Sequence, residues 1–304
     1  MPAASPTPAA AGAHRRAVAL LAFCALLWST AGVGSRHLES AASFEVTFWR
    51  SLFTVISLCA ILPILSGREV FAKVRQGGRV LWLSGACWCV MFTAFMLALS
   101  LTTVGNVLVT LAIGPLLTAV VARVFTGHRL PARTWIAICV AGLGITWMFG
   151  EQFALGDARQ LAGTAIALLV PIAGAINWTV VQRCQAQGRK IDLIPAVLVG
   201  AVLSTLGTLP LALPLSASHQ DIAWLALLGL TQLAIPCVLS VICASVLKAP
   251  EISLLALLEV IFGIAWAWLG AGEDPGSAVL LGGALVIGAL VANEWIGLKQ
   301  RQLQ

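Results

Sequence analysis

The sequence has few charged residues: 10% of its 304 residues are charged and 60% are hydrophobic, with a mean hydropathy of +0.97. A soluble globular domain carries about 25% charged residues, so the composition excludes that class. The chain also lacks the alternating hydrophobicity, in segments of about ten residues, that a membrane β-barrel requires. Helices are then the structure that can satisfy the backbone polar groups within a bilayer.

Catalytic and metal-binding signatures are missing as well. The sequence contains no H-E-x-x-H, no P-loop and no G-x-G-x-x-G opening a helix after a strand. The histidines, His14, His37, His128 and His219, all fall in tails or between apolar runs. The eight cysteines lie in or beside apolar runs, where they are typical small buried hydrophobes. We therefore predict no enzyme, no cofactor and no metal site.

Long apolar runs are what the chain does have. Each is close to the roughly 20 residues that a helix needs to cross about 30 Å of hydrocarbon. Ten runs predict ten transmembrane helices, at residues 17–36, 44–65, 79–100, 103–125, 132–150, 162–184, 193–213, 221–246, 250–270 and 276–297. The predicted class is an all-α polytopic membrane protein.

The basic residues predict the orientation of these helices. Fifteen of the eighteen Lys and Arg fall in the termini and in the joints on the same side as the N-terminus. Basic residues concentrate on the cytoplasmic side, so we expect both termini in the cytoplasm and a multi-pass protein of the inner (cytoplasmic) membrane. The net charge of +6 then matches an anionic lipid surface, and we predict no nucleic-acid partner.

Two weak internal matches predict a duplication. A shift of 150 residues lays 25-ALLWST-30 over 175-AINWTV-180, and a shift of 145 lays 103–127 over 248–272. Five spans per copy place the second copy in the opposite orientation, an arrangement common in secondary transporters. The predicted units are a disordered tail (1–16), a first repeat (17–150), an external linker (151–160), a second repeat (161–298) and a C-terminal tail (299–304).

Several motifs resemble those of a known family. They are LLWST at 26–30, FWRS at 48–51, LTTVGNVLVTLAIGPLLTAV at 101–120, INWTVVQR at 176–183 and LLALLEVIFGIAWAWLGAGEDP at 254–275. Together they resemble the drug/metabolite transporter superfamily in its ten-helix EamA form, and are most similar to YddG-type exporters of aromatic and neutral amino acids. The resemblance implies a cavity between the halves, lined by spans 1, 3, 4, 6, 8 and 9. Two departures are Val260 in place of the family's Pro and Gly127-His128 in place of Gly-Glu.

Ionisable side chains within a span are costly and usually face the bundle interior or water. Glu259 lies in the ninth predicted span, where it is either a structural carboxyl or a site that couples protons or binds an amine. Arg50 lies in the second span, near its outer end. Its long side chain can reach the outer surface or hold the carboxylate of a solute.

Neutral polar, aromatic and proline residues complete the candidate site. Polar groups in a span can bind a zwitterion or cross-link helices, and a deep indole N–H needs a partner. The candidates for the cavity are Trp28, Ser29, Arg50, Trp88, Asn106, Asn177, Trp178, Gln232, Ser240 and Glu259, with Pro115, Pro171 and Pro236 as bends for gating.

The sequence predicts a secondary transporter that exports a small metabolite, an aromatic or neutral amino acid, by alternating access around a central cavity. Its partners are then the solute and the lipid bilayer, and we expect a monomer. Three alternatives remain open at this point: a proton-coupled multidrug or organic-cation exporter, an intramembrane enzyme, and a channel.

Overall fold

The computed structural model describes residues 8–41, 43–67, 69–126, 131–154, 157–186, 192–244, 246–247 and 249–302. Within these ranges the protein is helical and contains no strand. The helices are α1 (Pro8–Ser35), α2 (Ser43–Ser66), α3 (Glu69–Gln76), α4 (Arg79–Leu101), α5 (Val104–Leu111), α6 (Gly114–Thr126), α7 (Ala132–Ala154), α8 (Ala158–Ala167), α9 (Leu169–Ala186), α10 (Ile194–Ala212), α11 (His219–Leu228), a π-turn (Gly229–Ala234), α12 (Ile235–Cys243), α13 (Ala249–Ala271) and α14 (Gly276–Gln302). Gly127 and His128, which depart from the family pattern, lie outside the described residues.

Eight helical segments of the described chain are long and apolar enough to cross a membrane. They are Gly12–Ser35, Ser43–Leu65, Arg79–Leu101, Val104–Phe125, Ala158–Val181, Ile194–Ala212, His219–Cys243 and Gly276–Gly297. Two shorter apolar segments, Ala132–Trp147 and Leu255–Ala271, fall where the fifth and ninth spans are predicted. The protein is therefore a multi-pass helical membrane protein, and the count of ten spans stays a prediction.

Helices extend into segments that the sequence assigned to tails and a linker. α1 begins at Pro8, where proline is favoured in the first turn, and continues through an alanine-rich stretch that favours helix. α14 reaches Gln302 and α7 reaches Ala154. Asp157 starts α8 by accepting the backbone N–H of Gln160 at 3.0 Å, and this bond lowers the pKa of Asp157.

Three of the membrane segments are interrupted, and each interruption precedes a proline. α5 ends before Pro115, α8 ends before Pro171, and the π-turn ends before Pro236. Proline lacks a backbone N–H and its ring clashes with the carbonyl four residues earlier. Pro63 and Pro210, in contrast, lie within α2 and α10 without interrupting them. All three prolines that the sequence predicts as bends thus follow a break in a helix.

Helix packing follows a simple exchange rule. α7 packs on α14, α10 on α2 and α4, α2 also on α11 and the π-turn, α1 on α12 and α13, and α9 on α4 and α6. Exchanging the first five predicted spans with the last five turns the α1–α13 pair into the α9–α6 pair, and the α4–α9 pair into the α12–α1 pair. These main contacts are unchanged as a set, which is the pattern that two equivalent halves produce.

Glycines bring α4 and α10 into backbone contact. A Cβ atom on Gly200 would overlap the Cβ atom of Trp88 and lie 2.9 Å from Gly85 O and 3.0 Å from Cys89 N. Because two of these neighbours are backbone atoms, they cannot move aside as a flexible side chain would. The contact fixes the helix that carries Trp88 against the second half of the chain.

We expect Gly200→Ala to destabilise the protein, since the added methyl group must push α4 and α10 apart. Overpacking of this kind costs about 1–3 kcal/mol and should lower the thermal unfolding midpoint of the detergent-solubilised protein. Gly207→Ala, on an exposed part of the same helix with no neighbour within 4 Å, is the control. It should leave the midpoint unchanged or raise it, and equal midpoints for the two variants would contradict the proposed contact.

Candidate functional site

A cavity of about 620 Å³ lies between the two halves of the chain. Its described lining comes from α1, α2, α4, α5, α6, α9, the π-turn, α12 and α13, and includes no residue of α7, α10 or α14. The resemblance implied the same spans except the second, which contributes Arg50. This volume falls within the range of about 300–1,000 Å³ that is typical of small-molecule sites.

Aromatic side chains form one wall of the cavity. Trp28, Trp88, Phe92, Phe95 and Trp178 all line it. The Trp88 and Trp178 rings meet edge to face, with centroids 6.4 Å apart and planes at 79°, and the Trp88 and Phe92 centroids are 5.5 Å apart. Such edge-on and tilted pairs are favourable beyond the area they bury. Trp28 and Trp178, which the sequence predicts at matching positions of two repeats, both face the cavity.

Arg50 is turned into the bundle and has no exposed surface (0% exposed). Its Nη1 donates to Gln232 Oε1 at 2.7 Å, its Nη2 donates to the Phe92 carbonyl at 3.0 Å, and its Cζ lies 5.8 Å from the centroid of the Phe95 ring. The interpretation in which Arg50 extends to the outer surface is wrong, because these buried acceptors take the place of water. Its Nε–H has no hydrogen-bond partner among the described residues.

Glu259 on α13 lines the same cavity and is half-buried. Within the described part of the chain its carboxyl makes no hydrogen bond and no ion pair, and it lies more than 4.0 Å from the Arg50 nitrogens, the limit for an ion pair. One cation and one acid therefore share an apolar cavity without compensating each other directly. Ionised groups in such surroundings are costly unless a partner is supplied.

Two more candidates, Gln232 and Ser240, line the cavity, as do Pro115 and Pro171. Ser240 Oγ donates to the Cys237 carbonyl of its own helix at 2.8 Å. Pro236 is buried and is not part of the described lining.

Three polar candidates lie outside the described lining and are engaged in hydrogen bonds. Ser29 Oγ donates to the Leu26 carbonyl at 2.7 Å, and Asn106 Nδ2 donates to Thr102 Oγ1 at 2.9 Å. Asn177 Oδ1 accepts from Ser84 Oγ at 2.6 Å, which links α9 to α4. These side chains therefore form hydrogen bonds within the helix bundle, which is the structural role that the sequence left open as the alternative to binding a solute.

The cavity also contains residues that sequence reasoning did not select. Phe92 and Phe95 follow Trp88 by four and seven residues and share its helical face, so this periodicity could have identified them. Cys237, which lines the cavity between Leu233 and Ser240, carries no comparable signal, because cysteine is an ordinary buried residue in a span.

Arg36 connects three joints at one end of the bundle, which we call the Glu273 end. Its Nε donates to Glu273 Oε2 at 2.8 Å, and its Nη1 and Nη2 donate to the carbonyls of Leu99 and Thr102 at 3.0 and 2.9 Å. Glu273 also accepts the backbone N–H of Val104. The end of α1, the α4–α5 joint and the α13–α14 joint are thereby tied together.

Two buried carboxylates make a second connection at the Glu273 end. Asp221 accepts the backbone N–H groups of Glu39, Ser40 and Ala41 at 3.0–3.1 Å. Glu45 accepts the N–H groups of Ser216 and Ala217 at 2.8–3.0 Å. These bonds to ionised acceptors are strong, and they join the segment before α2 to the segment before α11.

The cavity extends away from these connections. Leu21, Val181 and Leu247 line it on the opposite side of the bundle, where α1 begins and α9 and α12 end. No residue of the Arg36 and Asp221 networks belongs to the described lining. In this conformation the halves are tied at the Glu273 end and separated by the cavity towards the other end.

Comparison with known proteins gives a family match for the first half of the chain. Residues 15–150 match the EamA-like transporter family. This match suggests a membrane transporter of the drug/metabolite type, with a small-molecule solute and a lipid environment, and not an enzyme. No curated protein matches the sequence.

One solved structure shows the fold. A known crystal structure of another protein matches this chain with a TM-score of 0.61, and the two sequences are 16% identical. The match covers 95% of this chain and 99% of the other. The overall fold described above is therefore shared with that protein along almost the whole chain.

We expect Asn177 and Ser84 to stabilise the bundle as a pair. In a double-mutant cycle with Asn177→Ala and Ser84→Ala, measured by equilibrium unfolding in mixed micelles, the coupling free energy should be about 0.6 kcal/mol. Thr179, whose hydroxyl donates to the Ala175 carbonyl of its own helix, provides the control, and Thr179→Ala should not couple to Ser84→Ala. Equal coupling for the two pairs would contradict a specific link between α9 and α4.

Proposed function

We propose that the protein is a secondary transporter that exports small zwitterionic metabolites, most specifically aromatic and neutral amino acids, across the cytoplasmic membrane. The observation that carries this proposal is the presence of Arg50 and Glu259, both without a compensating charge, in one aromatic-lined cavity. The match of residues 15–150 to a transporter family supports the general activity.

An α-amino acid compensates both charged groups at once. Its carboxylate suits the planar donor set of the Arg50 guanidinium, and its ammonium group suits the Glu259 carboxylate. A nonpolar or aromatic side chain can then pack on Trp28, Trp88 and Trp178. The YddG-type resemblance implies aromatic and neutral amino acids as solutes, and that subfamily is part of this proposal.

An organic-cation exporter is the second candidate, and Glu259 with its aromatic neighbours favours it. Aromatic faces attract cations by about 0.5–2 kcal/mol, and a half-buried acid is the expected anchor for an amine. A cationic solute, however, leaves Arg50 uncompensated in the same cavity. This second charge is why we favour a zwitterion over a cation.

Alternating access is the proposed mechanism of transport. The exchange pattern of helix contacts supports two equivalent halves, and an odd number of spans in each half makes them inverted repeats. In the proposed orientation the Glu273 end is external, so this conformation receives solute from the cytoplasm. The outward-facing state then requires the Arg36–Glu273 pair to separate, with the breaks before Pro115, Pro171 and Pro236 supplying the bends.

Counterflow in liposomes tests the proposed solute class. The purified chain should exchange labelled aromatic and neutral amino acids in preference to nucleosides, sugars and organic cations. Arg50→Gln and Glu259→Gln should each lower amino-acid exchange at least about tenfold, since each removes a charged contact. Arg75→Gln and Glu69→Gln, on the exposed faces of α3, control for the loss of charge.

Equal thermal unfolding midpoints must accompany this comparison, so that loss of flux is not loss of folded protein. Exchange of organic cations that depends on Glu259 and is not inhibited by amino acids would establish the second candidate instead. Absence of any saturable exchange by folded, reconstituted protein would overturn the transporter proposal altogether.

Glu273→Gln should shift the protein towards the outward-facing state, because it removes the charge that holds Arg36. A membrane-impermeant thiol reagent applied from outside should then modify a cysteine introduced by Leu111→Cys, at a half-buried position of the cavity lining, about two- to fivefold faster, the effect expected for loss of a partly exposed ion pair. Asp274→Asn is the control, since among the described residues Asp274 accepts a hydrogen bond only from Gly276 in its own turn. The chain without Leu111→Cys gives the background from its own cysteines, and an unchanged external rate in Glu273→Gln would contradict the proposed role of the Arg36–Glu273 ion pair.

A further inference from the structure

The π-turn at Gly229–Ala234 is a local departure from helix geometry beside the cavity. Ile235 N–H donates to the carbonyl of Leu230, five residues earlier, instead of the one four residues earlier. Pro236 follows and has no N–H to donate, so the usual α-helical bond cannot form there. π-turns are rare and occur frequently at functional sites.

The first residue of the π-turn is fastened to the backbone of Arg50. A Cβ atom on Gly229 would lie 2.8 Å from Arg50 O and 3.0 Å from Thr54 N, so only glycine allows this approach of the two helices. The Thr54 hydroxyl shares its single proton between two carbonyl oxygens, Arg50 O at 2.8 Å and Gly229 O at 3.1 Å. The hydroxyl thus joins the backbone of α2 to that of the π-turn.

Gln232 holds the other end of the same arginine. Its Oε1 lies 2.7 Å from Arg50 Nη1, and the side chain is almost completely buried (3% exposed). Arg50 is therefore held at two points by one π-turn: at its carbonyl through Thr54 and at its guanidinium through Gln232. Both contacting residues, Gly229 and Gln232, belong to this π-turn.

The chemical identity of this second contact matters. An amide oxygen orients a guanidinium but carries no net charge, so the positive charge of Arg50 remains available. A carboxylate in the same place would form a buried ion pair with Arg50 and cancel that charge locally. Glu259 would then be the remaining charged group in the cavity.

We propose that Gln232 is the positioning residue that determines the solute preference of the cavity: by holding Arg50 through a neutral amide, it reserves the guanidinium charge for the carboxylate of the solute. This inference rests on the proposed transport of zwitterions and adds the residue that makes the site discriminate between an amino acid and the corresponding amine.

Two substitutions separate the position of Arg50 from its charge. Gln232→Glu keeps an acceptor but neutralises the arginine, so the carboxylate of the solute loses its partner. Gln232→Leu removes the acceptor but leaves the charge, so the guanidinium is less well oriented while its attraction for a carboxylate persists. If Gln232 had only a structural role, both substitutions would have the same effect on the preference for a solute that carries a carboxylate.

The experiment is counterflow of phenylalanine and of phenethylamine, which lacks the carboxylate, with the full chain in liposomes. In Gln232→Glu the ratio of phenylalanine to phenethylamine exchange should fall at least about tenfold relative to wild type. In Gln232→Leu the ratio should be retained, while the KM for phenylalanine rises. Gln76→Glu, at the exposed end of α3, controls for an added acid and should match the wild type.

The outcomes distinguish this inference from the function on which it rests. If wild type prefers phenylalanine and folded Gln232→Glu keeps the same ratio, the role of Gln232 is overturned and the transport proposal stands. If wild type exchanges neither compound nor any other amino acid, both proposals fall. Should Gln232→Glu not fold, Gln232→Leu decides, because a fall in its ratio comparable to that of Arg50→Gln would contradict the inference.

Discussion

The free energy of an uncompensated charge in a low-dielectric interior is the constraint on which the centre of this protein depends. Arg50 has no exposed surface, and its partners are an amide oxygen, a backbone carbonyl and an aromatic ring. These neutral groups orient the guanidinium without removing its charge. The break before Pro236, the bare backbone of Gly229 and the hydroxyl of Thr54 are all arranged around this one side chain.

Buried acidic side chains are stabilised differently at the Glu273 end of the bundle and in the cavity. At the Glu273 end, Glu45 and Asp221 are completely buried but are saturated by backbone N–H groups, so they are stable parts of a joint. In the cavity, Glu259 makes no hydrogen bond to the described residues. The carboxylates of Glu45 and Asp221 are thus satisfied within the protein, whereas the carboxylate of Glu259 has no partner among the described residues and can accept hydrogen bonds from a solute in the proposed transport.

Hydropathy predicted most of the fold, because the length of an apolar run and the thickness of a bilayer are both set by simple geometry. The repeated tryptophans also placed Trp28 and Trp178 in matching positions, and both face the cavity. What the sequence could not supply was the partner of each polar group. Asn177 bonds to Ser84 and Arg50 to Gln232 across long stretches of chain, and no local pattern distinguishes such a pair from a ligand contact.

The same limitation left two directions open for the Arg50 side chain, towards the outer surface or into the bundle, and the structure shows that it lies in the bundle. A long side chain near the end of a span can lie along either direction of the helix, and the choice depends on acceptors from distant segments. The π-turn was equally inaccessible, since it results from Pro236 acting together with the close approach of Gly229 to α2. Proline alone does not specify it, as the uninterrupted α2 and α10 show.

The predicted repeat pairs Pro115 with Val260, and the structure treats these two positions differently: Pro115 follows a break between α5 and α6, while Val260 lies within the continuous helix α13. Glu259 therefore lies on an uninterrupted helix, whereas the α5–α6 segment contains a break. In the proposed alternating-access cycle, the helix that carries Glu259 would therefore move as a single body, whereas the α5–α6 segment could bend at its break.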